Sequence, residues 1–326
     1  MPADVDRASA MRRRLILLAV LTGCQDRLFL HSTREPIEVS ATRVDLVGVR
    51  KPIRGEHLEG WYAEYGVEDG RPGTYVLAFN GTGGRAEYTL EQAGNLLVSW
   101  IDGTQSPSGR PGLGVLAINY PGFGGSDGPA TLRRLGAAAL DAYDALAERA
   151  GDAPIYIYGM SLGTTAALHL GASRPSPPPA GLILDRGPDL PGMLLARYGW
   201  WNLWTGALPL AASLPPATRS VANDRRIEDV HALFVLAKDD ELVTPRNGYR
   251  VFAAYRGPKR LAWIDGRHNT LAKGAPQVER GLEWLRSVAD QAVAKCESRA
   301  ASAKRCTTSA ADSTPSMVST LLPAWK

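Results

Sequence analysis

The chain has 326 residues, of which 44% are hydrophobic and 21% charged, and it carries a net charge of +4. This is ordinary globular composition, long enough for one large domain, and it excludes wholesale disorder. Residues 1–23 contribute +2 and residues 294–326 contribute +3, which leaves the body near −1 and argues against a nucleic-acid-binding surface.

At the N-terminus, "MRRRLILLAVLTGC" sets Arg12, Arg13 and Arg14 before a short apolar run. The run from Leu15 to Leu21 is far shorter than the roughly 20 residues that span a bilayer as a helix, so residues 1–23 are predicted to be a secretory signal. Leu21-Thr22-Gly23-Cys24 also resembles the bacterial lipobox, which implies that Cys24 is lipidated and becomes the mature N-terminus. Gln25 is not the aspartate that favours inner-membrane retention in such signals. The resemblance therefore implies an outer-membrane lipoprotein facing the periplasm. A plain cleaved signal with an incidental cysteine is the alternative. Residues 24–54 read as an anchor linker and first strand, and 55–293 as the main domain.

Through that domain, strand-like and helix-like stretches alternate. "EVSATRVDLVGV" and "LEGWYAEY" predict an opening pair of strands. "TYVLAFN" (74–80) predicts a buried strand, followed by a helix around Glu87 to Val98. "LGVLAINY" (113–120) is a further strand, and "TLRRLGAAALDAYDALAERAG" an amphipathic helix ending at Gly151. "PIYIY" (154–158) is a strand and "LGTTAALHLGAS" a helix, with "AGLILD" (180–185) another strand. An insertion at about 187–229 follows. Then come "HALFVLAK", a helix from Arg246 to Tyr255, "KRLAWID", and a last helix from about Ala275 to Ala294. Repeated strand-then-helix with near-continuous apolar strands predicts a mostly parallel sheet covered on both faces.

Two stretches match G-x-S-x-G: Gly159-Met160-Ser161-Leu162-Gly163 and Gly124-Gly125-Ser126-Asp127-Gly128. Chance supplies about 0.2 matches in a chain of this composition, so context decides. A nucleophile elbow needs a strand ending at the first glycine and a helix starting just after the serine. Ser161 meets both conditions. Ser126 is separated from its strand by Pro121 and three glycines and is followed by Gly128-Pro129, so it reads as a loop serine.

A nucleophilic serine needs a base, and the base an orienting acid. Of His31, His57, His169, His231 and His268, only His268 follows a late strand end, with Gly266 available to turn the loop. Asp239, Asp240 and Glu241 stand together after "HALFVLAK", at the strand end where ligands and catalytic groups collect in open α/β sheets. With these residues, the chain over roughly 55–293 resembles an α/β-hydrolase of the serine-esterase type. In that family the acid stands three residues before the Val of a D-x-x-V-P-like segment. The resemblance thus implies Asp240, before Val243, with Thr244 intervening before Pro245. Asp239 is the reserve, Glu241 a third choice, and Asp185 a weaker alternative on the preceding strand.

The same resemblance implies an oxyanion hole from the backbone amides of Thr82 and Leu162. Asn80 stands where many relatives have His, and Gly81 beside it suits close backbone approach. The Gly-rich "NYPGFGGSDG" lacks the G-x-G-x-x-G spacing of a dinucleotide turn. The family inserts a small helical cap where this chain has 187–229. Trp200, Trp201 and Trp204 are candidates to line an acyl pocket there, or simply to pack the cap onto the body. Cys296 and Cys306 are placed to pair in an oxidising compartment, with two free thiols in a poorly ordered tail (294–326) as the alternative. The expected function is hydrolysis of an ester or thioester, of small-molecule or lipid-like kind, without metal or organic cofactor. A peptidase or amidase with the same three residues, and a non-catalytic envelope scaffold, are the competing expectations.

Overall fold

The computed structural model describes residues 26–47, 56–67, 70–101, 111–289 and 291, with the backbone alone at 47, 98–101, 199–203 and 205. The predicted signal, Cys24, Cys296 and Cys306 lie outside the described residues, as does the tail beyond 291.

Eight strands form a single sheet in the order β1-β2-β4-β3-β5-β6-β7-β8. β1 (Thr42–Val47) and β2 (His57–Tyr65) are antiparallel to each other, and β2 is antiparallel to β4. From β4 (Leu113–Ile118) onward the pairing is parallel, through β3 (Thr74–Phe79), β5 (Ile155–Met160), β6 (Gly181–Asp185), β7 (Ala232–Ala237) and β8 (Lys259–Ile264). The apolar run of each central strand follows from its position. β3, β4, β6 and β7 are buried along their whole length, as a parallel strand covered on both faces must be. The edge strand β8 instead mixes buried Ala262 and Ile264 with half-buried or exposed neighbours.

Alternation sends successive side chains of one strand to opposite faces. Leu77 and Phe79 of β3 join one core with Leu146, Leu168 and Leu184, whereas Val76 and Ala78 join the other with Leu97, Leu282 and Leu285. Each large apolar side chain so buried contributes roughly 1.5–3 kcal/mol. Helices α1 (Ala86–Ile101) and α8 (276–289) cover the second face. Helices α2 (Leu132–Ala150) and α3 (Gly163–Ala172) cover the first, α2 through a stripe of Leu132, Leu135, Ala139, Tyr143 and Leu146.

The insertion between β6 and β7 is helical: α4 (Leu190–Asn202), a π-helical turn (Leu203–Ala207), α5 (Leu208–Ser213), a 3-10 turn (Pro216–Thr218) and α6 (Ser220–Asp224). Its later part packs against the body: Ala217 lies at Gly136 of α2 and Ile227 at Gly171 of α3. Helix α7 (Pro245–Ala254) follows β7. Among the described residues, no helix is long and apolar enough to cross a membrane.

Candidate active site

The site lies where the parallel strands end. β5 finishes at Met160 and α3 begins at Gly163, leaving Ser161 on the turn between them with φ 51°. That left-handed conformation is strained for a residue with a side chain and persists only when its surroundings over-determine it. Two contacts fix it: the Ser161 N–H donates to the Asp185 carbonyl at 2.8 Å, and its own carbonyl accepts from Thr164 at 3.0 Å. Gly163 presses against the end of β3, where a Cβ would stand 2.2 Å from the Phe79 carbonyl oxygen. The second glycine of the motif is therefore a requirement of packing between α3 and β3.

After β8, Gly266 turns the chain at φ 112°. Residues 267–270 form a turn in which Thr270 N–H donates to the Arg267 carbonyl and Thr270 Oγ1 accepts from the Arg267 N–H at 2.9 Å. His268 projects from that turn, and its Nε2 lies 2.9 Å from Ser161 Oγ. Its Nδ1 lies 2.7 Å from Asp240 Oδ2. The other oxygen of Asp240 accepts the N–H groups of Leu242 and Val243 at 2.9 and 2.8 Å, which holds the carboxylate in place after β7. Ser161, Asp240 and His268 are each no more than 9% exposed. Such a chain can pass a proton from hydroxyl to imidazole and stabilise the imidazolium that forms.

The neighbouring acids are placed differently. Asp239 points to solvent, and Glu241 is exposed and ion-paired with Arg267 at 3.7 Å. Asp185 is buried beside Arg186 instead of His268. Thr244, which departs from the family segment, is the N-cap of α7, with Pro245 in the first turn and its side chain accepting from the Asn247 N–H.

Ser126 lies in the expected loop, but it is fully buried: its Oγ donates to the Asn119 carbonyl at 2.7 Å and accepts the Glu59 N–H at 2.9 Å. Both its hydrogen-bonding roles are occupied by the fold. His169 and His231 are both shifted toward the neutral form, chiefly by burial.

The loop after β3 turns at 81–84, closed by Gly84 N–H to the Gly81 carbonyl. Asn80 braces it by donating from Nδ2 to the Gly84 carbonyl at 2.8 Å. Gly81 lies so near Ser161 that a Cβ there would be 3.3 Å from the serine Cβ. Thr82 and Leu162 both border the cleft over Ser161. The Leu162 amide belongs to the helix start, where N–H groups lack intrahelical partners.

That cleft has a volume of about 680 Å³. Leu190, Met193, Leu194 and Tyr198 of the insertion form one wall, and Leu242 and Val243 another. The expectation for Trp204 needs correction. Trp204 is 79% exposed and does not border the cleft, while the side chains of Trp200 and Trp201 lie outside the described residues. Among the described residues of α4, Leu190, Met193, Leu194 and Tyr198 border the cleft. A third wall was not foreseen: Leu28, Phe29 and His31 come from the segment read as a linker. His31 N–H donates to the Thr82 carbonyl at 3.2 Å, and buried Arg85 donates to the Thr33 and Glu35 carbonyls. Among the described residues, no group of three or more His, Cys, Asp or Glu is placed to hold a metal ion.

Strand order and a strained serine at the end of the fifth strand define a class: hydrolases built on an α/β sheet. The chain belongs to the alpha/beta hydrolase family, whose model matches residues 76–309. It is 32% identical over 218 residues to an uncharacterised protein of Mycobacterium tuberculosis, covering 65% of this chain and 68% of that one. It is 29% identical over 160 residues to lysophosphatidylserine lipase ABHD12 of Macaca fascicularis, covering 46% of this chain but only 39% of the lipase. Among solved structures, an acetyl xylan esterase from Paenibacillus aligns with a TM-score of 0.56 at 16% identity, over 82% of this chain and 93% of that one. That likeness concerns the fold.

Proposed function

We propose that this hydrolase cleaves carboxylic esters or thioesters of apolar acyl groups, through an acyl-enzyme on Ser161. The observation that carries the reading is the hydrogen-bonded run from Asp240 through His268 to Ser161, opening on a cleft whose surface is mainly apolar. Ser161 Oγ attacks the acyl carbon while His268 Nε2 takes its proton, and Asp240 holds the tautomer that leaves Nε2 free to do so. The amides of Thr82 and Leu162 donate to the oxyanion, each such donor being worth about 3 kcal/mol in the transition state. His268 then returns the proton to the departing oxygen or sulfur, and water reverses the sequence to release the acid. The name of the lipase relative supports an acyl lipid as substrate.

A fluorophosphonate probe is expected to label the wild-type protein and spare Ser161→Ala, while Ser126→Ala still labels. Labelling that follows Ser126 overturns the assignment. A panel of p-nitrophenyl esters from acetyl to palmitoyl is expected to show kcat/KM rising beyond acetyl, and a maximum at acetyl refutes the apolar-acyl reading. We further propose that Cys24 carries a lipid anchor at the outer membrane. Incorporation of a fatty-acid analogue that persists in Cys24→Ala refutes the anchor.

A further inference from the structure

The residue after β6 is neither glycine nor asparagine, yet Arg186 has φ 53°. It is also among the largest fully buried side chains of the described residues, at 1% exposure. A left-handed arginine inside a protein carries two costs, backbone strain and desolvation of a cation. Its contacts explain where it is aimed. Arg186 Nη2 donates to Asp185 Oδ2 at 2.6 Å, and that same oxygen accepts from Tyr158 Oη at 3.2 Å. Nη1 donates to the Thr270 carbonyl, the last residue of the turn that presents His268. On the main chain, the Arg186 N–H donates to Val235 of β7, and the carbonyl of Asp185 receives the Ser161 N–H.

Two consecutive residues therefore touch both halves of the reacting pair: the serine turn through the backbone and the histidine turn through a guanidinium. We propose that Arg186, charge-balanced by Asp185, is a positioning residue that sets the distance between His268 and Ser161. It touches neither substrate nor reacting atoms. The left-handed backbone at 186 swings its side chain inward beneath the 267–270 turn. The planar fork then reaches a carboxylate and a carbonyl at once, which a lysine ammonium on a shorter reach does not reproduce. This inference rests on the serine-hydrolase reading above.

The test compares full-length wild type with Arg186→Met, Arg186→Lys and Asp185→Asn. Active sites are counted by fluorophosphonate titration, so that misfolded protein drops out of the rate. Arg186→Met is expected to lower kcat per titrated site at least tenfold with KM within twofold, since the cleft is untouched. Arg186→Lys is expected to recover part of that loss, and Asp185→Asn to fall between. If Arg186→Met does not fold, the other two variants carry the same reading. Per-site kcat within twofold of wild type in the variants that fold, whatever their thermal stability, overturns the proposal alone. Hydrolysis that survives Ser161→Ala overturns the serine reading and this inference with it.

Discussion

Gly163→Ala probes how closely the serine turn is fitted to the sheet. A Cβ at 163 would stand 2.2 Å from the Phe79 carbonyl oxygen, 2.6 Å from its carbon and 2.7 Å from the Asn80 oxygen. All three are backbone atoms at the end of β3, so no side-chain rotation relieves the clash. Ordinary contact begins near 3.4 Å, so helix and strand must part by about 1.2 Å. Either α3 moves, taking Ser161 and Leu162 with it, or β3 moves, taking the Gly81–Gly84 turn and Thr82. Both routes separate Ser161 from Thr82, the proposed nucleophile from one proposed oxyanion donor. Overpacking of this kind costs about 1–3 kcal/mol, but alanine is a better helix former than glycine by about 1 kcal/mol. Misplacement of about 1 Å at a reacting centre costs about 100-fold in rate. The expected outcome is therefore a modest fall in Tm with kcat reduced about 100-fold. Kinetics on a p-nitrophenyl ester and a thermal melt check it. Gly171→Ala in the same helix is the control, because its Cβ would meet only side-chain atoms, the tips of Ile227 at 3.1 Å and Leu182 at 3.4 Å. A Gly163→Ala enzyme within threefold of wild-type kcat would refute the reasoning.

Asp240→Asn is expected to lower kcat about 10³–10⁴-fold by favouring the wrong imidazole tautomer, and solvent-facing Asp239→Asn to leave it near wild type; equal losses in the two would sink the distinction. Ser126→Ala is expected to lower stability by about 1–3 kcal/mol, because it leaves the buried Glu59 N–H without an acceptor. Chemical denaturation of the alanine variant that matches wild type counts against that role. Asp224 is fully buried, both its carboxylate oxygens lack a hydrogen-bond partner among the described residues, and burial first, then nearby Asp189, pushes its pKa from 3.8 to about 8 against the pull of Lys259. The folded state then holds a proton that the unfolded chain releases, so the contribution of Asp224 to stability is full below pH 3.8 and declines as pH rises toward 8. The shift corresponds to about 4 kcal/mol between pH 4 and 7. Asp224→Asn should flatten that slope in urea titrations, and an unchanged slope excludes Asp224 as its source.

The sheet was legible because its strands carry their own signature. A continuous run such as "TYVLAF" has no polar face to offer water, so it must lie inside a covered parallel sheet. The turn at Ser161 was legible for a related reason, since a strand and a helix with only two residues between them force it. Asp240 could be separated from Asp239 only through family resemblance; in space, the difference is which carboxylate faces His268. The third wall of the cleft left no such trace. Segment 26–35 is tied down by scattered contacts. The carbonyls of Thr33 and Glu35 accept from Arg85, Asp26 accepts the Leu132 N–H, Arg34 donates to the Ser126 and Gly128 carbonyls, and Phe29 and Leu30 are buried in the core. No spacing or motif links them, so the sequence does not announce a wall. Trp204 misled in the opposite direction. Large aromatics attract a binding role on paper, yet Trp204 faces solvent while the shorter side chains of α4 border the cleft. Arg186 was invisible because a charged residue after a strand ordinarily reads as surface.

That third wall bears on how the protein is handled and how it diverges. The family match begins at residue 76, past both the segment that bears Leu28 and Phe29 and the two antiparallel strands. A chain trimmed to the match would keep Ser161, Asp240 and His268 but leave one side of the binding cleft open to water. The boundary of a family resemblance is thus a poor guide to where to cut. Substitutions upstream of it could retune acyl preference while every residue within the match stays the same.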